Sequence, residues 1–312
     1  MNKVFITGGS GFIGNAIAHA FKRNGDQVVC LCRTDKSQQQ LTKQGFTAIV
    51  GDMNHPESFK TQASNADVII HAAHLRAGMR LSSKWLKKSE EMRNKGLTAL
   101  IEAAKQGGNC KALIYTSGMI AHGDHGDKLI NEASIPNKTR LGDYHLNGEK
   151  MIIDAAKAGV PALSIRPGMV YGPNGTFGKF FLEVAEKGKY QYPGNGENFL
   201  PFVHIDDLAN AYLLAAQNPP AGQVINVVDD QPISVKTMAD QLLTSFNGGK
   251  ASSVPAWLVG LFAGKALSEM LTGSYRVQNH KAKELLNWTP NYKTFADGIG
   301  NVVSDYKNAK AA

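Results

Sequence analysis

Short runs rich in Val, Ile and Leu punctuate the first half of the chain, and between them apolar residues return every three or four positions. The runs predict strands over residues 4–7, 27–32, 48–51, 68–71, 112–116 and 162–166. The wider spacing predicts helices over 13–23, near 56–63, near 81–105 and near 146–157. Strand and helix therefore alternate, which is the order of an α/β fold with a doubly wound parallel sheet of Rossmann type.

After Pro167 the pattern loosens into loops rich in Gly, Pro and Asn, at 171–176 and 192–196, with helices between them. This predicts a Rossmann dinucleotide-binding domain over 1–170 and a smaller, mixed α/β substrate-binding region over 171–312. No linker-like stretch separates them, so the boundary is soft and later segments are free to return to the first domain.

The first strand runs into Thr7-Gly-Gly-Ser-Gly-Phe-Ile-Gly14, and an amphipathic helix follows at once. The first glycine permits a tight turn, Gly11 lets a pyrophosphate approach the main chain, and Gly14 lets helix and strand pack closely. The helix start offers unpaired N–H groups and partial positive charge to phosphates. Gly8, Ser10, Gly11, Phe12, Ile13 and Gly14 are the expected cofactor contacts here. A purely structural turn is the alternative, but strand, turn, helix and second strand in this order favour a dinucleotide.

An acidic residue at the end of the second strand would select NAD(H) by bonding the ribose 2′-hydroxyl. This strand ends Leu31-Cys32-Arg33 instead. Arg33 offers a cation to the 2′-phosphate of NADP(H), and no carboxylate repels it. NADP(H) is the expected cofactor, with NAD(H) as the alternative and a merely solvated Arg33 as the plain reading.

A chain of 312 residues that is 43% hydrophobic buries a large core, which excludes disordered and fibrous classes. The formal charge of +8 prompts a search for nucleic-acid chemistry, yet basic and aromatic residues do not interleave and no DNA-reading motif is present. No nucleic-acid partner is expected. The densest basic region comprises Arg76, Arg80, Lys84, Lys87, Lys88, Arg93 and Lys95. It reads either as a solvated helix face or as an attractor of an anionic cofactor or substrate.

Cys30, Cys32 and Cys110 form no ligand pattern and read as free thiols in a reducing compartment. A strand beginning near residue 4 leaves no room for a signal peptide, so a cytoplasmic location is expected. The apolar stretch over 254–264 falls short of the roughly 20 residues a transmembrane helix needs.

The same residues resemble the extended short-chain dehydrogenase/reductase superfamily, in particular its NAD-dependent epimerase/dehydratase group, over nearly the whole chain. The resemblance rests on the glycine turn, Gly51-Asp-Met53, His71-Ala-Ala73, Asn94-Lys-Gly-Leu-Thr98, Tyr115-Thr-Ser-Gly118, Arg166-Pro-Gly-Met-Val-Tyr-Gly-Pro173, Phe202-Val-His-Ile-Asp-Asp207 and Trp288-Thr-Pro290. It implies that Asp52 and Met53 contact the adenine and that Ala72 and Ala73 line the cofactor's path. It places Asn94 among the cofactor-binding residues and the Pro167–Val170 loop at the nicotinamide. Plain core packing is the alternative for the two alanines. The resemblance also implies a homodimer through the helices near 81–105 and 146–157.

The group's usual catalytic set is a Ser or Thr after the fifth strand, then a Tyr with a Lys four residues on. Counting back from Gly123 puts the hydroxyl position on Gly118, beside Ser117. Counting back from Glu149 puts the Lys position on His145 and the Tyr position on Leu141. The dyad is absent, and Tyr144 has no lysine four residues on. Ser117, Tyr144 and His145 are left as a loose catalytic set, since a histidine titrates near neutral pH and can supply a proton or a charge. The plain readings are a turn serine, a packed ring and a histidine near a helix start.

No metal is expected. His122, Asp124, His125 and Asp127 read as a mobile loop over the site, and Asp206 or Asp207 as a helix cap with bonds between segments. The leading expectation is an NADP(H)-dependent oxidoreductase acting on a small carbonyl, hydroxyl or sugar-like substrate. The alternative is a non-catalytic NADP(H)-binding redox sensor or assembly protein; a sugar-nucleotide epimerase or dehydratase is disfavoured by the missing dyad.

Overall fold

A computed structural model describes residues 1–75, 82–246 and 248–311. Arg76, Arg80 and the predicted start of the third long helix at residue 81 lie outside the described residues.

Seven strands form one parallel sheet: β1 (Lys3–Thr7), β2 (Gln27–Cys32), β3 (Thr47–Val50), β4 (Val68–His71), β5 (Ala112–Thr116), β6 (Ala162–Pro167) and β7 (Val224–Val227). Their order across the sheet is β7-β6-β5-β4-β1-β2-β3. All six pairings are parallel. β4, β5 and β6 are buried at every position, as strands covered on both faces must be. The edge strand β3 is only partly covered. The fold class therefore agrees with the alternation of the sequence.

The principal helices are α1 (Phe12–Arg23), α2 (Asp35–Lys43), α3 (Ser83–Gln106), α4 (Arg140–Lys157), α5 (Ile205–Gln217) and α6 (Phe295–Ala311). Three helical features depart from the sequence pattern, and the strand β7 was not predicted. α2 is added: its sequence DKSQQQLTK buries only Leu41, and it is started by Thr34, whose hydroxyl accepts from the Ser37 N–H. The helix near 56–63 divides into a single tight turn at Pro56–Ser58 and a short helix at Lys60–Ser64. α4 begins at Arg140, because Thr139 caps it through the Gly142 N–H at 2.9 Å. Leu141, Tyr144 and His145 therefore stand on its first turns rather than ahead of it.

Residues beyond 170 build a second apolar cluster around Tyr171, Phe177, Phe202 and Phe295. They also send α5 and β7 back to the sheet, where Leu208, Tyr212 and Ile225 pack in the same core as Val4 and Ile6. Among the described residues no helix is long and apolar enough to cross a membrane.

Candidate active site

The turn between β1 and α1 is made of main chain. Gly8 adopts φ +76°, a conformation that side-chain-bearing residues rarely take, and a Cβ on it would lie 2.8 Å from the Ala72 carbonyl and the Ala73 nitrogen. A Cβ on Gly14 would run into the Gly8 carbonyl oxygen, so α1 lies directly on the turn. The Gly11 N–H closes the turn on the Gly8 carbonyl at 2.8 Å. Ser10 and Gly11 are exposed.

Gly11 occupies the N-cap of α1, no side chain caps the helix, and its first turn carries no acid. The first N–H groups are thus left for an anion, and no charge opposes one. Phe12 is fixed from the other side: a Cβ on Gly175 would touch its ring, so the loop after residue 171 folds over the turn.

At the end of β2 the Cys32 thiol is buried and donates to the Ile49 carbonyl at 3.3 Å. Arg33 is exposed at the next position. The strand thus runs into a cation with no acid at its last residue, and Asp35 follows in the first turn of α2.

β4 delivers the next group. His71 is 1% exposed and its Nδ1 lies 2.8 Å from Thr7 Oγ1. The Ala73 N–H donates to the same hydroxyl at 3.3 Å. Burial, with the neighbouring His74 and the Arg93 cation adding to it, pushes the His71 pKa down to about 3, so its ring is neutral.

Three residues on, His74 Nδ1 lies 3.3 Å from Tyr144 Oη. Tyr144 is 4% exposed, and the Arg93 guanidinium sits 4.5 Å above its ring centre. Arg93 also donates from Nη1 to the Tyr144 carbonyl and from Nη2 to Glu90 at 3.3 Å. Burial pushes the Tyr144 phenol up to about 12, against the pull of Arg93. His145 packs edge-on to Tyr144 at 5.1 Å. A Cβ on Gly118 would lie 3.2 Å from His145 Cε1, so the imidazole takes the space a larger residue at 118 would need. Burial first, and then the nearby cations, hold the His145 pKa well below its ordinary value.

Ser117 is directed elsewhere. Its hydroxyl donates to Glu149 Oε1 at 2.5 Å, and the same carboxylate accepts from Arg166 Nε and Nη2, both at 2.6 Å. All three side chains are buried. Arg166 Nη1 also approaches His122 at 3.3 Å, and His122 Nε2 pairs with Asn226 at 2.9 Å. This network ties α4 to β5, β6 and β7.

The profile of the NAD dependent epimerase/dehydratase family matches residues 4–228. The chain belongs to that family. It is 24% identical over 311 residues to a 3-diazoavenalumate denitrifying reductase of a Streptomyces species, covering 96% of this chain and 99% of the relative. Its fold is similar to dTDP-glucose 4,6-dehydratase of Bacillus anthracis in complex with NAD, with TM-score 0.83 and 18% identity over 100% of this chain and 98% of the other. It is equally similar to a human epimerase family protein with NADPH, with TM-score 0.84 and 18% identity over 97% and 99% of the two chains.

In this epimerase/dehydratase chain the remaining expected residues fall as follows. The Asp52 carboxylate accepts from the Asn54 N–H at 2.8 Å, and Met53 is buried against Gly96 of α3. Ala72 and Ala73 are half-buried along Gly8. Pro167 ends β6, the Gly168 N–H is held by the Val227 carbonyl at 3.1 Å, and Val170 packs on the main core. Asn94 is exposed, and its side-chain oxygen is taken by Arg93 Nε and Nη2 at 3.1 and 2.8 Å. It serves Arg93 there.

Three expectations are corrected. The cap of α5 is His204, whose Nδ1 accepts from the Asp206 N–H at 3.2 Å. Asp207 makes the expected bonds between segments, accepting from the Asn291 and Tyr292 N–H groups at 2.9 and 3.0 Å. The loop over 122–127 is tethered: Asp124 accepts from Ser274 N–H at 3.1 Å, and Arg276 donates to the Asp127 carbonyl at 3.1 Å. In the basic stretch Lys84, Lys87, Lys88 and Lys95 are exposed, but Arg93 is 1% exposed and belongs to the site.

The sequence reading missed Arg93, His71 and His74. The repeat of histidine on either side of Ala72-Ala73, directly after a strand, was the available signal for the last two.

Proposed function

We propose that this chain is an NADP(H)-dependent oxidoreductase that interconverts the carbonyl and hydroxyl forms of a small or sugar-like substrate, with Tyr144 as the group that exchanges the proton. The observation that carries the reading is the buried Tyr144, clamped under Arg93 with its hydroxyl on His74, a short segment away from the glycine turn. The Tyr144 phenol holds its proton at neutral pH yet is more acidic than the alcohol it would form, and the Arg93 cation opposes the upward push of burial.

The open main chain over Gly8–Gly14 takes the pyrophosphate, and Arg33 takes the 2′-phosphate. Asp52 and Met53 border the adenine, Ala72 and Ala73 follow the cofactor's path, and the Pro167–Val170 loop borders the nicotinamide. The bound cofactor supplies or takes up the hydride at the substrate carbon. Tyr144 supplies the proton to the oxygen, and Arg93 steadies the phenolate left behind. His145 fills the space beside Gly118 and holds the Tyr144 ring. Ser117 is assigned to the Glu149–Arg166 network.

Two measurements test this reading. Intrinsic fluorescence titrated with NADPH and NADH should show tighter binding of NADPH, with the preference reversed in Cys32→Asp/Arg33→Ala. A panel of ketones and aldehydes should include one that drives loss of NADPH absorbance. A second reading, cofactor binding without catalysis, is favoured by Leu141 and His145 standing where the dyad would be. It is the outcome if binding is tight and no substrate in the panel turns over.

A further inference from the structure

We propose that His74 is the proton relay between Tyr144 and solvent, a catalytic residue that takes over the task of restoring the tyrosine's proton. The inference rests on the oxidoreductase reading above.

Tyr144 is cut off from water on its own: its side chain is buried, and its ring is covered by Arg93 on one side and by His145 on its edge. Its hydroxyl meets His74 Nδ1 at 3.3 Å. Solvent reaches His74 although protein surrounds it, which is the situation of a residue on the wall of a cleft. An imidazole can pass a proton without changing charge, because it gains one at a ring nitrogen while losing one at the other. His74 is therefore the group that touches both Tyr144 and the outside.

The step balances as follows. In reduction, NADPH gives a hydride to the carbonyl carbon, and Tyr144 gives its phenolic proton to the oxygen. The O–H bond of Tyr144 breaks and that of the alcohol forms. His74 Nδ1–H then reprotonates the phenolate as Nε2 takes a proton from water, which leaves as hydroxide, and the ring regains its Nδ1–H form by proton exchange with solvent before the next turnover. In oxidation each transfer runs backwards.

The neighbourhood keeps the imidazole neutral for this task. Crowding by its neighbours and then the Arg93 cation lower the His74 pKa, while a hydrogen bond to the Thr116 main chain opposes them. The charged and titratable groups facing the pair are Arg93 and Glu90 from α3, His71 and Tyr115 from the sheet, and His145 from α4. None of them bonds the Tyr144 hydroxyl in the described structure, where His74 Nδ1 is its partner.

The test uses the full chain with NADPH and an aromatic ketone from the panel, in wild type, His74→Ala and Tyr144→Phe. His74→Ala should lower kcat about 100-fold, and added imidazole should restore part of that loss. It should leave NADPH affinity unchanged. In parallel, the 15N resonance of His74 Nδ1 should move in Tyr144→Phe, a readout that needs no turnover. If His74→Ala keeps the wild-type rate while Tyr144→Phe is inactive, the relay is overturned and the oxidoreductase reading stands. A loss that imidazole does not restore, or an unmoved Nδ1 resonance, likewise overturns the relay. Full activity in Tyr144→Phe overturns both.

Discussion

The glycine turn and the Tyr144 cluster are joined by the segment 71–75, yet they are built by opposite means. The turn is made of main chain, and its fit depends on the absence of side chains at Gly8 and Gly14. The cluster is made of side chains drawn from α3, α4 and the segment after β4, with Arg93 set over the Tyr144 ring and His74 on its hydroxyl. A main-chain site is written in consecutive residues and tolerates any chemistry around it. A side-chain site exists only once distant elements are packed, so its chemistry can be exchanged while the binding turn persists. In this chain the turn is built as a dinucleotide turn needs, whereas the cluster brings together Tyr144, His74 and Arg93.

Four perturbations act on one side of this contrast and leave the other as a control. The largest effect is expected from Glu149→Ala, which leaves Arg166 buried without its carboxylate and should cost about 3–5 kcal/mol of stability. Chemical denaturation reads it, and Glu149→Gln should cost less because the Ser117 bond can survive. A loss below 1 kcal/mol would mean that the network does not anchor α4.

Gly14→Ala places a methyl group against the Gly8 carbonyl oxygen and should destabilise the chain by about 1–3 kcal/mol. NADPH binding should weaken in the same variant, measured by fluorescence titration. Unchanged binding would show that α1 does not need to lie so close to the turn.

Acid should act on the side-chain site. His71 is neutral when folded, with its pKa near 3, and takes up a proton near 6.5 when unfolded. Its contribution is complete above pH 6.5 and is lost as pH falls toward 3, on the order of 1.4 kcal/mol per pH unit through that window. His122, pushed down to about 4 by burial and by Arg166, adds to the same slope. His71→Asn should flatten the decline of the unfolding midpoint between about pH 6 and about pH 4. An identical slope in both proteins would contradict the burial of a neutral ring.

The smallest effect is expected at Arg33. Arg33→Ala should weaken NADPH roughly 10-fold and leave NADH unchanged, because it removes one exposed charge partner of the 2′-phosphate. Equal weakening of both cofactors would move Arg33 out of that role.

The difference in construction also explains what could be read from the chain. The strands over 27–32, 68–71 and 112–116 were legible because a buried parallel strand needs a continuous apolar run. α2 was not, since a surface helix with one buried leucine has no apolar stripe. β7 was missed because Val-Ile-Asn-Val is short and lies beyond a loop-rich region, and its place at the sheet edge is set by tertiary pairing with β6. The offset counted from Glu149 to His145 and from Gly123 to Gly118 was readable, and the structure brings those two positions into contact. Arg93 was hidden among lysines that are exposed, and nothing in its local sequence separates a buried guanidinium from a solvated one.

The central claim is that the Tyr144 cluster is catalytic and that Tyr144 is its proton donor. It is tested most directly by following NADPH absorbance in wild type and Tyr144→Phe, at saturating cofactor, with the best ketone of the panel. The account predicts equal NADPH affinity in the two proteins and a loss in kcat of about 100-fold or more in Tyr144→Phe. Equal turnover in both, or tight binding of NADPH by wild type with no turnover at all, would contradict it.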